Sequence, residues 1–101
     1  MKTHEIFKHK GEFFRVLETT GKSQLAVMTI EAGSDSGAEG LHKGDQFIYC
    51  IEGFGEIEIE KERFKLKAGS AIIIPAGKKH KGYASSSEDF FFVTVYEPPA
   101  Y

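Results

Sequence analysis

Residues 69–80, GSAIIIPAGKKH, constrain this chain most, because they tie an apolar strand to a lone histidine through proline and glycine. Ala71–Ile74 is too short for a helix, rich in β-branched residues and too apolar for an exposed strand, so it reads as a strand buried on both faces. Pro75 ends its ladder. Gly77 then frees the backbone to turn and present His80 at the start of the next strand.

The remaining chain has the same rhythm of short apolar runs and turns. Residues 12–18 (EFFRVLE) and Gln24–Ile30 (QLAVMTI) flank a turn at residues 19–22. Residues 31–40 hold three glycines and two serines, which makes them a loop that delivers the chain to His42 and forms a pocket rim. In residues 46–51 (QFIYCI), Gln46, Ile48 and Cys50 share one face, and Phe47, Tyr49 and Ile51 the other. Both faces beyond Gln46 are apolar, which predicts cover on both sides. Gly53 and Gly55 break this pattern. Residues 56–60 (EIEIE) and 63–67 (RFKLK) then alternate charge and apolarity as a half-exposed hairpin around Lys61 and Glu62. With no Asn-Gly or Asp-Gly pair, that turn is expected to be strained or slightly long. Residues 84–89 form a polar loop, and residues 90–96 (FFFVTVY) form a last strand stopped by Pro98 and Pro99. Without helical periodicity, repeat or linker, residues 1–101 read as one all-β domain, an antiparallel sandwich or barrel.

Composition excludes several function classes. Thirteen basic against fifteen acidic residues give a net charge of −2; beyond Lys78, Lys79 and Lys81 no basic stripe exists, so no nucleic-acid partner is expected. Those lysines could ring a pocket mouth and draw in an anion, or form a solvated loop face. Cys50, the one cysteine, lies in an apolar run and reads as a small core residue in a reducing compartment. Residues 1–11 lack a signal-peptide apolar stretch and no eighteen apolar residues run together, so a cytoplasmic protein with no membrane partner is expected. Phe90, Phe91 and Phe92 load both faces of one strand beyond what a small domain covers, which predicts a homodimer packed sheet to sheet.

The spacing Gly69-x5-Pro75-x-Gly77-x2-His80 resembles the second motif of the cupin superfamily, in which the histidine is a metal ligand inside a small β-barrel. Residues 40–53, GLHKGDQFIYCIEG, resemble the first motif: His42 falls at its second histidine, Gln46 at its glutamate and Gly53 at its closing glycine. Gly40 stands at the first histidine and Ala84 at the usual asparagine of the second motif. The likeness runs from about Leu25 to Pro99, and the ending VYEPP looks like the tail of small single-domain bacterial cupins.

The resemblance implies a jelly-roll-like antiparallel barrel, the double-stranded β-helix, with His42, Gln46 and His80 as ligands of a divalent ion: zinc, iron, manganese or nickel. Two imidazoles suit such first-row ions. Glu39 and Asp45 are candidates for the position Gly40 leaves empty. Small cupins include isomerases, lyases and dioxygenases, so the implied function is a Lewis acid acting on a small oxygenated ligand, carboxylate or sugar-like, with anions preferred. The rival readings are a metal-free binding or sensor barrel and a structural homodimer module. Tyr49, Tyr83 and Tyr96 could orient a ligand or simply pack.

Overall fold

Period-two alternation cut by polar and glycine-rich turns gives seven strands: β1 (Phe14–Thr19), β2 (Gln24–Ile30), β3 (Asp45–Ile59), β4 (Glu62–Lys67), β5 (Ala71–Ile74), β6 (His80–Ala84) and β7 (Phe90–Glu97). The computed structural model describes residues 2–101. Besides the strands it contains a single short 3-10 turn, Ile6–His9. All pairings are antiparallel, and β3 is their axis. Its first half pairs with β7 and β5, its second with β4 and β6. Two layers result, β1-β2-β7-β3-β5 and β4-β3-β6, closed on a core that includes Ile30, Ile48, Ile57, Leu66, Ile74, Phe90 and Phe92. This is the antiparallel, jelly-roll-like barrel expected from the sequence. Among the described residues no helix is long and apolar enough to cross a membrane.

The glycines of β3 bend the strand rather than end it. The ladder to β7 shifts register between Cys50 and Glu52, and Gly53 has φ +87°, a conformation that only glycine adopts without strain. A Cβ on Gly53 would collide with the Asp89 carbonyl oxygen, and one on Gly55 with the Phe90 ring. The bend therefore carries β3 from one layer to the other while the start of β7 crosses close above it.

Coverage of the strands differs from the sequence expectation. Ile73 is 58% exposed, Phe47 39% and Tyr49 41%. Only the alternate side chains, Ile74, Gln46, Ile48 and Cys50, are buried. The cause is position: β5 ends the larger layer, and its outer face with that of β3 lies open. Phe90, Phe91 and Phe92, by contrast, are all buried within this chain. Phe90 and Phe92 meet with ring centroids 4.8 Å apart, while Phe91 packs at 5.6 Å against Phe7 of the 3-10 turn. Exposed apolar side chains thus lie on β3 and β5, not on β7, and outside these strands at Phe7, Phe13, Val16, Leu41 and Tyr101.

The β3–β4 hairpin turns at Glu60 and Lys61, one residue earlier than expected, with φ +48° and +75°. Both are left-handed positions occupied by non-glycine residues, so the strain foreseen is present. Arg63 spans the hairpin, 3.1 Å from Glu56 and 3.8 Å from Glu58. It also lies 4.0 Å over the Tyr83 ring.

Candidate functional site

Between the layers lies a cavity of about 100 Å³. Met28, Ile30, Ile48, Ile57 and Phe92 form its apolar wall, and Ser36, Ala38 and Gly40, from the loop predicted to be a rim, close one side. His42, Gln46 and His80 all line it, so the three predicted site residues converge. The loop is fixed to β6 by main-chain hydrogen bonds: Gly40 and His80 exchange N–H···O bonds of 2.7 and 3.0 Å, and the Ser36 N–H reaches the Gly82 carbonyl at 2.8 Å.

Each of the three side chains is oriented by its surroundings. The Lys78 carbonyl oxygen lies 3.1 Å from His80 Nδ1; a carbonyl only accepts, so Nδ1 carries the proton and the neutral ring keeps its lone pair on Nε2. Burial, reinforced by the neighbouring His80, lowers the pKa of His42 below the ordinary histidine value. Gln46 is 5% exposed. Its Nε2 donates to Thr94 Oγ1 at 2.9 Å and to Tyr96 Oη at 3.3 Å. Thr94 Oγ1 donates in turn to the Phe47 carbonyl at 2.9 Å, so it must accept from the amide and thereby fixes which end of Gln46 is nitrogen. Oε1 is left buried with no hydrogen-bond partner among the described residues. An orphaned acceptor costs about 1–3 kcal/mol, a cost relieved by a cation or a donor entering the cavity.

A divalent ion fits these residues. The His42 and His80 ring centroids are 5.1 Å apart. Two imidazoles sharing a tetrahedral ion at nitrogen distances of about 2.0–2.1 Å place their centroids about 5 Å apart. Among the described residues no three His, Cys, Asp or Glu side chains converge, so a third protein donor would have to be the Gln46 amide oxygen, which lines the same cavity. Neither acidic candidate joins the site: Asp45 Oδ1 accepts the Ala76 N–H at 2.9 Å outside the cavity, and Glu39 is exposed and lines none of it.

The lysines lie elsewhere too. Lys78 and Lys79 are exposed, and Lys81 Nζ stands 3.6 Å from Asp35 Oδ2, pointing away from His80 as strand alternation requires. They form a solvated face. Of the tyrosines, Tyr96 lines the cavity, Tyr49 is exposed, and Tyr83 donates to Glu58 at 3.3 Å on the outer surface. Tyr101 was missed by sequence reasoning. Largely exposed, it borders the cavity with its ring centroid 5.7 Å from that of His42 and 5.2 Å from that of Tyr96. The buried Gln24 holds it there, accepting from the Tyr101 N–H at 2.9 Å and donating to its main-chain oxygen at 2.7 Å. No local pattern marks a clamp spanning 77 residues.

The lowered pKa of His42 has a signed consequence. The unfolded chain takes up this proton near the ordinary value of about 6.5, whereas the folded site takes it up only at lower pH. The neutral ring's contribution to stability is therefore fully present above that value and is lost as pH falls through the folded pKa. Melting temperature is expected to drop on acidification below about pH 6.5 in the wild type, and the drop should shrink in His42→Phe. Identical profiles would refute the assignment.

The Cupin domain family profile matches residues 26–96. The uncharacterized protein YrkC of Bacillus subtilis is 30% identical over 93 residues, covering 85% of this chain and 50% of that protein. The uncharacterized protein MJ1618 of Methanocaldococcus jannaschii is 30% identical over 60 residues, 59% of this chain and 48% of that one. The chain thus spans about half the length of the curated relatives it matches. Among solved structures, a Bacillus halodurans protein superposes with a TM-score of 0.82 at 27% identity, covering 88% of this chain and 72% of its own. An uncharacterized Klebsiella pneumoniae protein with a double-stranded β-helix domain gives 0.84 at 24%, covering 97% and 90%, a likeness of fold. The profile match runs from within β2 almost to the end of β7, and so takes in every strand but β1 together with His42, Gln46 and His80: this chain belongs to the cupin domain family.

Proposed function

We propose that residues 1–101 act as one cupin domain whose cavity takes a divalent metal ion on His42, Gln46 and His80 and binds a small oxygenated anion there. The observation that carries this reading is the buried, unpartnered Gln46 Oε1 in the same cavity as two imidazoles 5.1 Å apart. When bound, such an ion supplies a Lewis acid that polarises a ligand oxygen. The chain's own residues prepare the site: burial keeps His42 neutral, the Lys78 carbonyl fixes the His80 ring, Thr94 and Tyr96 hold the Gln46 amide, and the apolar wall limits water. All three donors are neutral, so the full dipositive charge faces the ligand. Because no lysine or arginine is among the described residues that line the cavity, preference for an anion rests on the ion alone. The volume, equal to about three waters' share of the liquid, suits acids of two or three carbons. Isomerase, lyase and dioxygenase chemistry are all compatible with this arrangement.

Protein purified without an affinity tag should retain close to one equivalent of metal. After stripping, it should bind Co²⁺ and then take pyruvate or oxalate in preference to glycerol, by calorimetry. No metal retained and no Co²⁺ bound would leave the metal-free barrel. The variant Gln46→Glu separates the two roles of this residue. In the stripped protein the new carboxylate oxygen faces Thr94 Oγ1, whose proton is committed to Phe47, so stability should fall by about 1–3 kcal/mol. With Co²⁺ the charged oxygen should tighten the metal and weaken the acid. Equal acid affinity in both proteins would remove the Lewis-acid reading.

The open face of β3 and β5 supports assembly into a homodimer. Phe47, Tyr49 and Ile73 lie across adjacent strands, with Phe47 opposite both Ile73 and Val95, and β5 pairs only with β3. A second copy turned by a two-fold axis presents the same apolar face. Sedimentation at micromolar concentration should give twice the chain mass, and Phe47→Lys with Ile73→Lys should give a folded monomer. A wild-type monomer overturns the assembly.

A further inference from the structure

Gly40 stands where the resembled first motif carries a histidine, and the structure shows what occupies that place. A Cβ built on Gly40 would lie 2.9 Å from His80 Nε2 and 3.1 Å from its Cε1. The two residues face each other as an antiparallel pair with two main-chain hydrogen bonds, and the Nδ1 bond to Lys78 swings the far side of the ring across the glycine. The backbone of Gly40 is not left-handed, so it is not the conformation that calls for glycine here.

We infer that Gly40 is a positioning residue for His80: its missing side chain is the space that the His80 ring needs, so the site is complete with two histidines and one amide rather than a four-ligand site lacking one member. Any side chain at position 40 requires the His80 ring to shift from its present place. The inference rests on the metal reading for its functional consequence but not for its geometry.

The atom in the way is the far end of a rotatable side chain, and alanine suits the Gly40 backbone, so Gly40→Ala should displace the ring with little effect on the fold. In the stripped wild type, proton NMR should show a nuclear Overhauser contact between the Gly40 α-protons and the His80 ring; in Gly40→Ala the corresponding contact should be lost or strongly weakened, while the melting temperature stays near that of the wild type. Co²⁺ affinity should fall by about 10- to 100-fold, the range seen when a ligand's orienting partner is lost. Gly40→His should bind Co²⁺ no more tightly than the wild type. A retained ring contact in Gly40→Ala, or a gain in affinity in Gly40→His, overturns the inference. Should the wild type bind no Co²⁺, the metal reading fails while the NMR comparison still decides whether Gly40 positions the ring.

Discussion

Gly53→Ala should destabilise the fold by about 3–5 kcal/mol, a large part of the roughly 5–15 kcal/mol that holds a domain of this size. Two costs add. The left-handed φ of +87° strains any residue with a Cβ, and the new methyl would meet the Asp89 carbonyl, which belongs to the backbone and cannot rotate aside. Relief would require separating β3 from the start of β7, where the core residue Phe90 sits. Gly77→Ala is the control: φ is +76°, but a Cβ there meets nothing within 4 Å, so only the left-handed strain cost of roughly 1–2 kcal/mol applies. Urea denaturation of the three proteins measures both costs. Equal losses at the two positions would mean that the strand crossing yields easily and that the bend does not fix the layers.

His80→Ala should weaken Co²⁺ binding by about 100-fold or more, since loss of a ligand exceeds the 10- to 100-fold effect of losing an outer partner, while leaving the fold in place. The main-chain pair between His80 and Gly40 does not involve the ring, and the core residues Ile57 and Phe90 belong to other strands. Calorimetry and thermal melting separate the outcomes. Unchanged affinity, or unfolding with metal content preserved in the surviving protein, would remove His80 from the ligand set.

The placement of His42, Gln46 and His80 around one cavity was legible in the sequence because motif spacing maps onto barrel geometry. Gln46, Ile48 and Cys50 turn inward as strand alternation requires, and His80 opens β6 just after the Gly77 turn. What was misread has several physical causes. An apolar residue on a strand has the same pattern whether or not another layer lies above it, so Ile73, Phe47 and Tyr49 read as buried and are open. Phe91 read as uncovered because its cover, Phe7, comes from a segment with no apolar periodicity. Glycine likewise signals a departure from regular strand without revealing whether the ladder stops or bends, which is why Gly53 and Gly55 looked like an end of β3. Tyr101 reaches the cavity through a glutamine far away in sequence, a contact that only the folded chain creates.

The long strand β3 also determines when this protein can fold. Its partners β4, β5, β6 and β7 all follow it, the last ending at Glu97. During synthesis β3 therefore emerges before its partners, and the β1-β2-β7-β3-β5 layer cannot close until β7, residues 90–97, is available. Contacts so distant in sequence pay their loop-closure entropy before they return stability. Closure of the barrel should thus come late, after the local β1–β2 and β3–β4 hairpins. Until β7 arrives, the exposed strand edges make the nascent chain a target for chaperones and for aggregation.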